Sequence, residues 1–303
     1  MIVSKCPLRV SLVGGSTDLI EYVELFGRGS VISFPINLYT YIGITYNDKF
    51  HGKYRINYSQ VEEVTNPDDI KSNHIAREVI KYFDLPPVTV MFNADIPSTG
   101  SGLASSSSYV VSFVSAVNRL LDLKLSQLDI CKIAFEIEHK FNPLTGYQDV
   151  YGCGLGNLKR IDFFKDRVKV KKLNSSVLSK FNMFLKNTYT VRSSDDILST
   201  LDLNKVSELL KLVDKLENNI LQENMICDIL NTGWEKKKQV SSLIVNDNVE
   251  KIDKELSSDD NIKGIKLCGA GGGGYFFVLS KTELDDTFIK IDIDDDGVVS
   301  WDF

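Results

Sequence analysis

Pro97-Ser-Thr-Gly-Ser-Gly-Leu-Ala-Ser-Ser-Ser-Ser108 is the stretch whose surroundings decide the reading of this chain. Ahead of it, Val88-Thr-Val-Met-Phe-Asn-Ala94 reads as a strand. Behind it, Tyr109 to Leu121 carries Val110, Val111, Val114, Val117, Leu120 and Leu121 at helical spacing. A glycine-rich loop thus feeds a helix N-terminus. Gly100 and Gly102 can take positive φ and let an anion approach the main chain. The first amides of the helix lack intrahelical partners and lie at the positive end of its dipole, so phosphate is the natural guest. The serines add hydroxyls for phosphate oxygens or a hard cation. No Gly-Lys-Ser/Thr follows, which separates the loop from a Walker A motif. A Gly/Ser linker is the other reading, but linkers are not bracketed by an apolar strand and an apolar helix.

Composition bounds the remainder. A chain of 303 residues, 43% hydrophobic, can bury one large core or two domains sharing a cleft. A net charge of -6 argues against nucleic acid as the main partner. No apolar run has the length of a membrane span, and the first residues lack a signal peptide's features, so no membrane partner and a cytoplasmic location are expected. Five cysteines (Cys6, Cys131, Cys153, Cys227, Cys268) form no Cys-x-x-Cys pair and read as free, mostly buried thiols. His51, His74 and His139 are too scattered for a zinc site.

Three stretches together resemble the GHMP kinases, the superfamily of galactokinase, homoserine kinase, mevalonate kinase and phosphomevalonate kinase. Pro97 to Ser106 is similar to the family's Pro-x-x-x-Gly-Leu-[Gly/Ser/Ala]-Ser-Ser, with one extra residue before Gly-Leu. Pro7-Leu-Arg9-Val10 followed by Gly14-Gly15-Ser16-Thr17-Asp18 resembles the first motif in its sugar-kinase form. Lys266-Leu-Cys268-Gly-Ala-Gly-Gly-Gly-Gly274 resembles the third. The resemblance spans nearly the full chain. It implies an α+β, two-domain fold: an N-terminal ribosomal-protein-S5-like domain (1–173), a C-terminal ferredoxin-like α/β domain (174–303), and an active site in the cleft between them.

The resemblance also implies roles. Gly100, Ser101, Gly102, Leu103, Ala104, Ser105, Ser106 and Ser107 would cradle the phosphates of ATP, flanked by Gly271 and Gly272. Arg9 would stabilise charge on the transferring phosphoryl group, and Asp18, with Gly15 and Thr17, would bind sugar hydroxyls. Read from the residues alone, the alternatives are a turn or N-cap residue for Asp18 and a surface charge on a strand for Arg9. Gly146-Tyr-Gln148-Asp149 resembles the Gly-x-Gln-Asp segment of sugar 1-kinases, which makes Asp149 the candidate base and Gln148 a substrate contact. Glu138, eleven residues upstream, would hold Mg²⁺ with Ser106. Glu136 competes with Glu138, because two residues of helix turn by about 200° and only one can face the site. Asp149 as a helix cap and Glu138 as a solvated charge are the bland alternatives. Thr190-Val-Arg192 resembles a segment of heptose phosphate kinases, with Tyr189 and Val191 departing from it; Arg192 would contact a substrate phosphate or form an ordinary ion pair.

Elsewhere, Ile2 to Val13 and Ser30 to Tyr46 read as strands, Asn73 to Phe83 as an amphipathic helix, and Ser126 to Glu138 as a helix capped by Ser126. Asn157 to Leu173 reads as a hairpin turning near Lys165-Asp-Arg167. Helices are expected over Val206–Leu221 and Trp234–Val245, and the acidic tail Asp292 to Gly297 as a turn. The reading as a whole is an ATP- and Mg²⁺-dependent sugar 1-kinase, closest to D-glycero-D-manno-heptose 7-phosphate kinases. Other sugar 1-kinases, a silent nucleotide- or sugar-binding sensor of the same fold, and a homodimer stay open.

Overall fold

The computed structural model describes residues 1–47, 52–97, 100–190 and 194–303. Strand β1 (Ile2–Val13) pairs antiparallel with β2 (Gly29–Tyr46), and the length of β2 organises the larger sheet. On the edge away from β1, the C-terminal half of β2 pairs with β5 (Val88–Ala94). Its N-terminal half pairs with β6 (Lys159–Phe163), which forms a hairpin with β7 (Val168–Lys172). Beyond β5, β3 (Tyr54–Asn57) pairs parallel to it and β4 (Val61–Val64) closes the edge. Pro35 does not interrupt β2: it lies opposite Arg9, and the pairing slips between Pro7 and Leu8.

Helices α2 (His74–Tyr82), α3 (Ser105–Leu120), α4 (Gln127–Phe141) and α5 (Gln148–Gly154) form a core with the face of this sheet that carries Val31, Ile42, Ile44 and Ile161. The fall of apolar residues on α3 makes it central, with Val110, Val114 and Val117 wholly buried. Its serines let it lie close to β1. Ser108 Oγ donates to the Cys6 carbonyl at 2.9 Å and Ser112 Oγ to the Ser4 carbonyl at 3.2 Å. At the start of α4, Ser126 and Asp129 form the reciprocal capping box their spacing predicts.

The second sheet has four antiparallel strands in the order β11-β8-β10-β9: β8 (Asn182–Asn187), β9 (Ile262–Leu267), β10 (Tyr275–Ser280) and β11 (Phe288–Ile291). Short α1 (Ile20–Phe26) and α6 (Ser194–Leu198) precede the longer α7 (Leu203–Asn218), α8 (Glu223–Lys238) and α9 (Asp247–Ser257). Leu212, Val213, Leu230 and Trp234 share one core with Phe276, Phe277 and the inner ends of β1 and β2.

One expectation needs correction. Trp234–Val245 is not a helix: Trp234 lies in the last part of α8, and α9 starts only after Asn246, whose side chain caps it. The chain passes between the sheets after β7, but strand β12 (Val299–Asp302) returns to pair with β1. The outer edge of β1 needs a partner, and the tail supplies it.

Candidate active site

The C-terminal end of β1 and the turn after it meet the N-terminus of α3 and the start of α5 around a cavity of about 210 Å³. Gly100 and Gly102 take φ of +67° and +72°, the left-handed geometry foreseen for the loop. Ala104 does so too, at +64°, directly before α3. Ser101 Oγ shares a hydrogen bond with Ser105 Oγ at 2.9 Å and accepts from Leu103 N, so those hydroxyls hold the loop's shape. Ser106 is exposed and lines the cavity, with Ser105 and Ser107 also at its wall.

Arg9 projects from β1 into this cavity and is 3% exposed. Its Nε and Nη2 donate to Asp149 Oδ1 at 3.0 and 2.7 Å, and Nη1 donates to the Gly102 carbonyl at 2.8 Å. One guanidinium thus joins the phosphate loop to the candidate base. Burial opposes its charge, but the Asp149 carboxylate outweighs burial and holds the guanidinium more firmly protonated than usual.

Asp18 lies beside them, 1% exposed. Its Oδ1 accepts from Gln148 Nε2 at 2.7 Å and its Oδ2 from Gln148 N at 3.1 Å. Burial, then the charge of Asp149, pushes Asp18 up to about 7. Gly146 makes this approach possible, since a Cβ there would fall 1.9 Å from Asp18 Oδ2.

Glu138, on α4, faces the cavity and is 1% exposed, whereas Glu136 is exposed and accepts a hydrogen bond from Tyr82 on the outer surface. That settles the choice between them. Burial pushes Glu138 up to about 7; the Ser107 and Ser106 hydroxyls pull the other way and Asp149 adds to the rise. Glu138 Oε2 is buried without a hydrogen-bond partner, as is Gln148 Oε1. A buried carboxylate oxygen with no donor, beside a serine hydroxyl, suits a hard oxygen-seeking cation.

Two buried lysines complete the wall. The pairing of β1 with β2 slips between Ser11 and Val13, and Lys266 from β9 meets the carbonyls released there. Its Nζ donates to Ser11 O at 2.6 Å, Leu12 O at 3.2 Å and Ser11 Oγ at 3.3 Å, and burial pulls it down to about 8. Lys237 at the end of α8 donates to the carbonyls of Leu267 and Gly269. The loop after β9 is in turn seated on the phosphate loop: a Cβ on Gly269 would lie 2.6 Å from Gly102 Cα.

Residues 71–157 match the family model of the GHMP kinases N terminal domain. The chain is 29% identical over 305 residues to the D-glycero-alpha-D-manno-heptose 7-phosphate kinase of Campylobacter jejuni, covering 90% of this chain and 88% of that one. Residues 71–157 thus carry the GHMP kinase N-terminal domain signature, and most of the chain is similar to kinases of that family. It is also 25% identical to the galactokinase of Thermosipho africanus, over 91% of this chain and 88% of that one. The crystal structure of a D-glycero-D-manno-heptose 1-phosphate kinase from Bacteriodes thetaiotaomicron superposes with a TM-score of 0.79 at 22% identity, covering 100% and 99% of the two chains. Lactococcus lactis galactokinase complexed with galactose gives 0.79 at 15% identity, covering 98% and 95%. The two-sheet α+β architecture is that of the GHMP kinases.

Set against the GHMP motifs, Arg9, Gly15, Asp18, Glu138, Gln148, Asp149 and Ser106 all line the one cavity, as do Gly100, Ser101, Gly102, Ala104, Ser105 and Ser107. Others are placed differently. Thr17 is fully buried, its hydroxyl donating to Gly14 O and accepting from Ser30 N, so it builds the turn rather than reaching a ligand. Leu103 is fully buried, and its backbone is taken up within the protein: its carbonyl accepts from Arg9 N and its amide donates to Ser101 Oγ. Gly271 and Gly272 back onto the loop before α9, against Ile244 and Asn246; Gly269 and Ala270 line the cavity instead. Arg192 lies outside the described residues. Lys237 and the ties made by Lys266 were not foreseen. Neither lysine differs in local sequence from a solvated one, although the place of Lys266 at the head of the third motif was a usable signal.

Proposed function

We propose that this chain transfers the γ-phosphoryl group of ATP to the anomeric hydroxyl of a sugar or sugar phosphate. The observation that carries the reading is the joining of Asp18, Gln148, Asp149 and Arg9 around one cavity, facing a glycine- and serine-lined helix N-terminus. In this reading the acceptor hydroxyl is held against Asp149, which takes its proton as the bond to phosphorus forms. Asp18 and Gln148 fix the sugar through its neighbouring hydroxyls. Arg9 orients Asp149 and lies near enough to the phosphate loop to offset charge gathered on the transferring group. Amides at the start of α3 receive the phosphates. Glu138 and Ser106 would hold Mg²⁺, which supplies charge neutralisation on the triphosphate. Phosphoryl transfer depends on placement and electrostatics, so no covalent enzyme intermediate is needed.

D-glycero-D-manno-heptose 7-phosphate is the first choice of acceptor. The support is the Gly-Gly-Ser-Thr-Asp turn, Gln148-Asp149, and the similarity to a heptose 7-phosphate kinase across most of both chains. The galactokinase relatives keep a neutral sugar as the second reading. The test is ADP release with Mg-ATP against that heptose phosphate, mannose, galactose, fucose and mevalonate. Selective turnover of the heptose phosphate is expected. Turnover of a neutral sugar alone discards that acceptor and keeps the kinase; no turnover with retained ATP binding favours a silent binding protein.

A further inference from the structure

Lys159 opens β6, ten residues after Asp149 and outside the motifs, yet its side chain is among the most deeply buried in the molecule, at 1% exposure. Nζ donates to Leu155 O at 2.5 Å, Gly152 O at 3.0 Å and Asn157 O at 3.4 Å. These acceptors take up the three N–H bonds of an ammonium. Two of them belong to the last turn of α5 and its C-cap, where a helix leaves carbonyls that it cannot satisfy itself and where its dipole favours a cation. The first turn of the same helix carries Gln148 and Asp149.

A helix of 7 residues is too short to hold its own shape, so its position is set by what grips its ends. At the N-terminal end the grips are Asp18 on Gln148 and Arg9 on Asp149. At the other end they are Lys159 and the amide of Val298, which donates to Gly154 O at 3.1 Å. Gly152 links the ends further: its Cα faces the stem of Arg9 so closely that an added Cβ would lie 3.2 Å from Arg9 Cγ. The carbonyl that Lys159 binds and the surface that supports Arg9 therefore belong to one residue. Burial pulls the Lys159 ammonium down to about 7, a strain on its charged form that an apolar residue would avoid. Its three acceptors are what the chain gains in return.

We propose that Lys159 is a positioning residue for phosphoryl transfer: its buried ammonium fixes the C-terminal end of α5 so that Asp149, at the other end, is held against Arg9 and the acceptor hydroxyl. The inference rests on the reading of Asp149 as the base.

The test compares Lys159→Met, Lys159→Gln, Asp149→Asn and the double variant Lys159→Met/Asp149→Asn by steady-state ADP release with the acceptor that the wild type uses, alongside thermal unfolding. The expected result for folded Lys159→Met is a loss of roughly 10- to 100-fold in kcat with the KM for ATP within about twofold of wild type, as for a misplaced reacting group. Lys159→Gln, which keeps N–H donors, recovers part of kcat. In the Asp149→Asn background the lysine change costs nothing further, since the group it positions is already lost. A kcat for folded Lys159→Met within about twofold of wild type, or losses that multiply in the double variant, overturns the proposal. If Lys159→Met does not fold, Lys159→Gln decides by the same criteria: a kcat equal to wild type at a lowered unfolding temperature means a purely structural cap. If Asp149→Asn alone keeps full turnover, the base assignment itself falls and takes the proposal with it, an outcome visible without any lysine variant.

Discussion

Arg9 and Asp149 meet through a single oxygen: both guanidinium donors fall on Oδ1, at 3.0 and 2.7 Å, and neither reaches Oδ2. The pair fixes the carboxylate's orientation while leaving its second oxygen outside the ion pair. A base that must accept a proton from a sugar hydroxyl is served by such an arrangement, because the holding contact and the accepting atom are separate. Asp149→Asn should therefore lower kcat by about 10²- to 10⁴-fold, the usual worth of a positioned base, with Mg-ATP affinity by calorimetry essentially unchanged. Retained turnover would remove Asp149 from the chemistry.

Asp18 gives the pH dependence. Its ordinary value is 3.8, and in the fold it is raised to about 7 by burial and by Asp149. Between those values the folded chain holds a proton that the unfolded chain has released. The resulting stabilisation is fully present below the ordinary value and is lost as pH rises through about 7. Asp18→Asn should thus melt with less dependence on pH between 5 and 8 than the wild type, the two differing by on the order of 2–4 kcal/mol in that dependence. Sugar hydroxyls, by contrast, donate to the ionised form. The KM for sugar should accordingly rise as pH falls below about 7 in the wild type and stay flat in the variant. A KM insensitive to pH in the wild type would detach Asp18 from the sugar.

What could be read in the sequence divides along physical lines. Features set by local chemistry were legible: the positive φ of Gly100 and Gly102, the capping box at Ser126, the hairpin from β6 to β7, and five free buried cysteines. So was the gathering of Arg9, Asp18, Glu138 and Asp149, because the motif resemblance brought together residues far apart in sequence. Features set by tertiary contacts were not. The serine run looks uniform, but its members divide: Ser106 faces the cavity, Ser101 and Ser105 hold each other, and Ser108 bonds to β1. Thr17 reads like a ligand and is spent on its own turn. Lys159, Lys237 and Lys266 look like surface charges until the backbone carbonyls that surround them are known.

In the proposed reading, Gly146 offers a way to disturb the sugar side of the site without the nucleotide side. Its neighbour is the Asp18 carboxylate, and a methyl group there would sit 1.9 Å from Oδ2. Gly146→Ala must push Asp18 off Gln148, while the phosphate loop is untouched. The expected outcome is a rise of roughly tenfold or more in the KM for sugar, with ATP affinity preserved. Equal damage to both affinities would mean that the shift spreads through α5 to the loop.

Lys266 joins the two sheets at the site itself, and its loss should be felt in stability as well as in turnover. Lys266→Met leaves the released carbonyls of Ser11 and Leu12 without their donor, at a cost of roughly 2–4 kcal/mol. Because the same contacts hold the first-motif turn against the third-motif loop, kcat/KM should fall even where the variant is fully folded. Chemical denaturation together with kinetics below the transition separates the two effects. Full kcat/KM in the folded variant would limit Lys266 to stability.

Arg160 ties the larger sheet to α7, away from the site. Its side chain is 9% exposed, and it meets Asp162 on its own strand with Asp214 and Glu217 on α7. Glu217 also accepts from Lys171, which is largely exposed. Removing the arginine leaves three carboxylates facing one another, two of them partly buried, so Arg160→Met should cost about 3–5 kcal/mol. Lys171→Ala, at the wet end of the same network, should cost less than about 1 kcal/mol. The contrast is the useful part, since it measures how far burial rather than charge alone joins β6 to α7. Kinetic constants of Arg160→Met measured on folded protein should stay near wild type, because none of its partners lines the cavity. If the loss in stability were small and kcat fell instead, the network would belong to the moving parts of the enzyme and not to its frame.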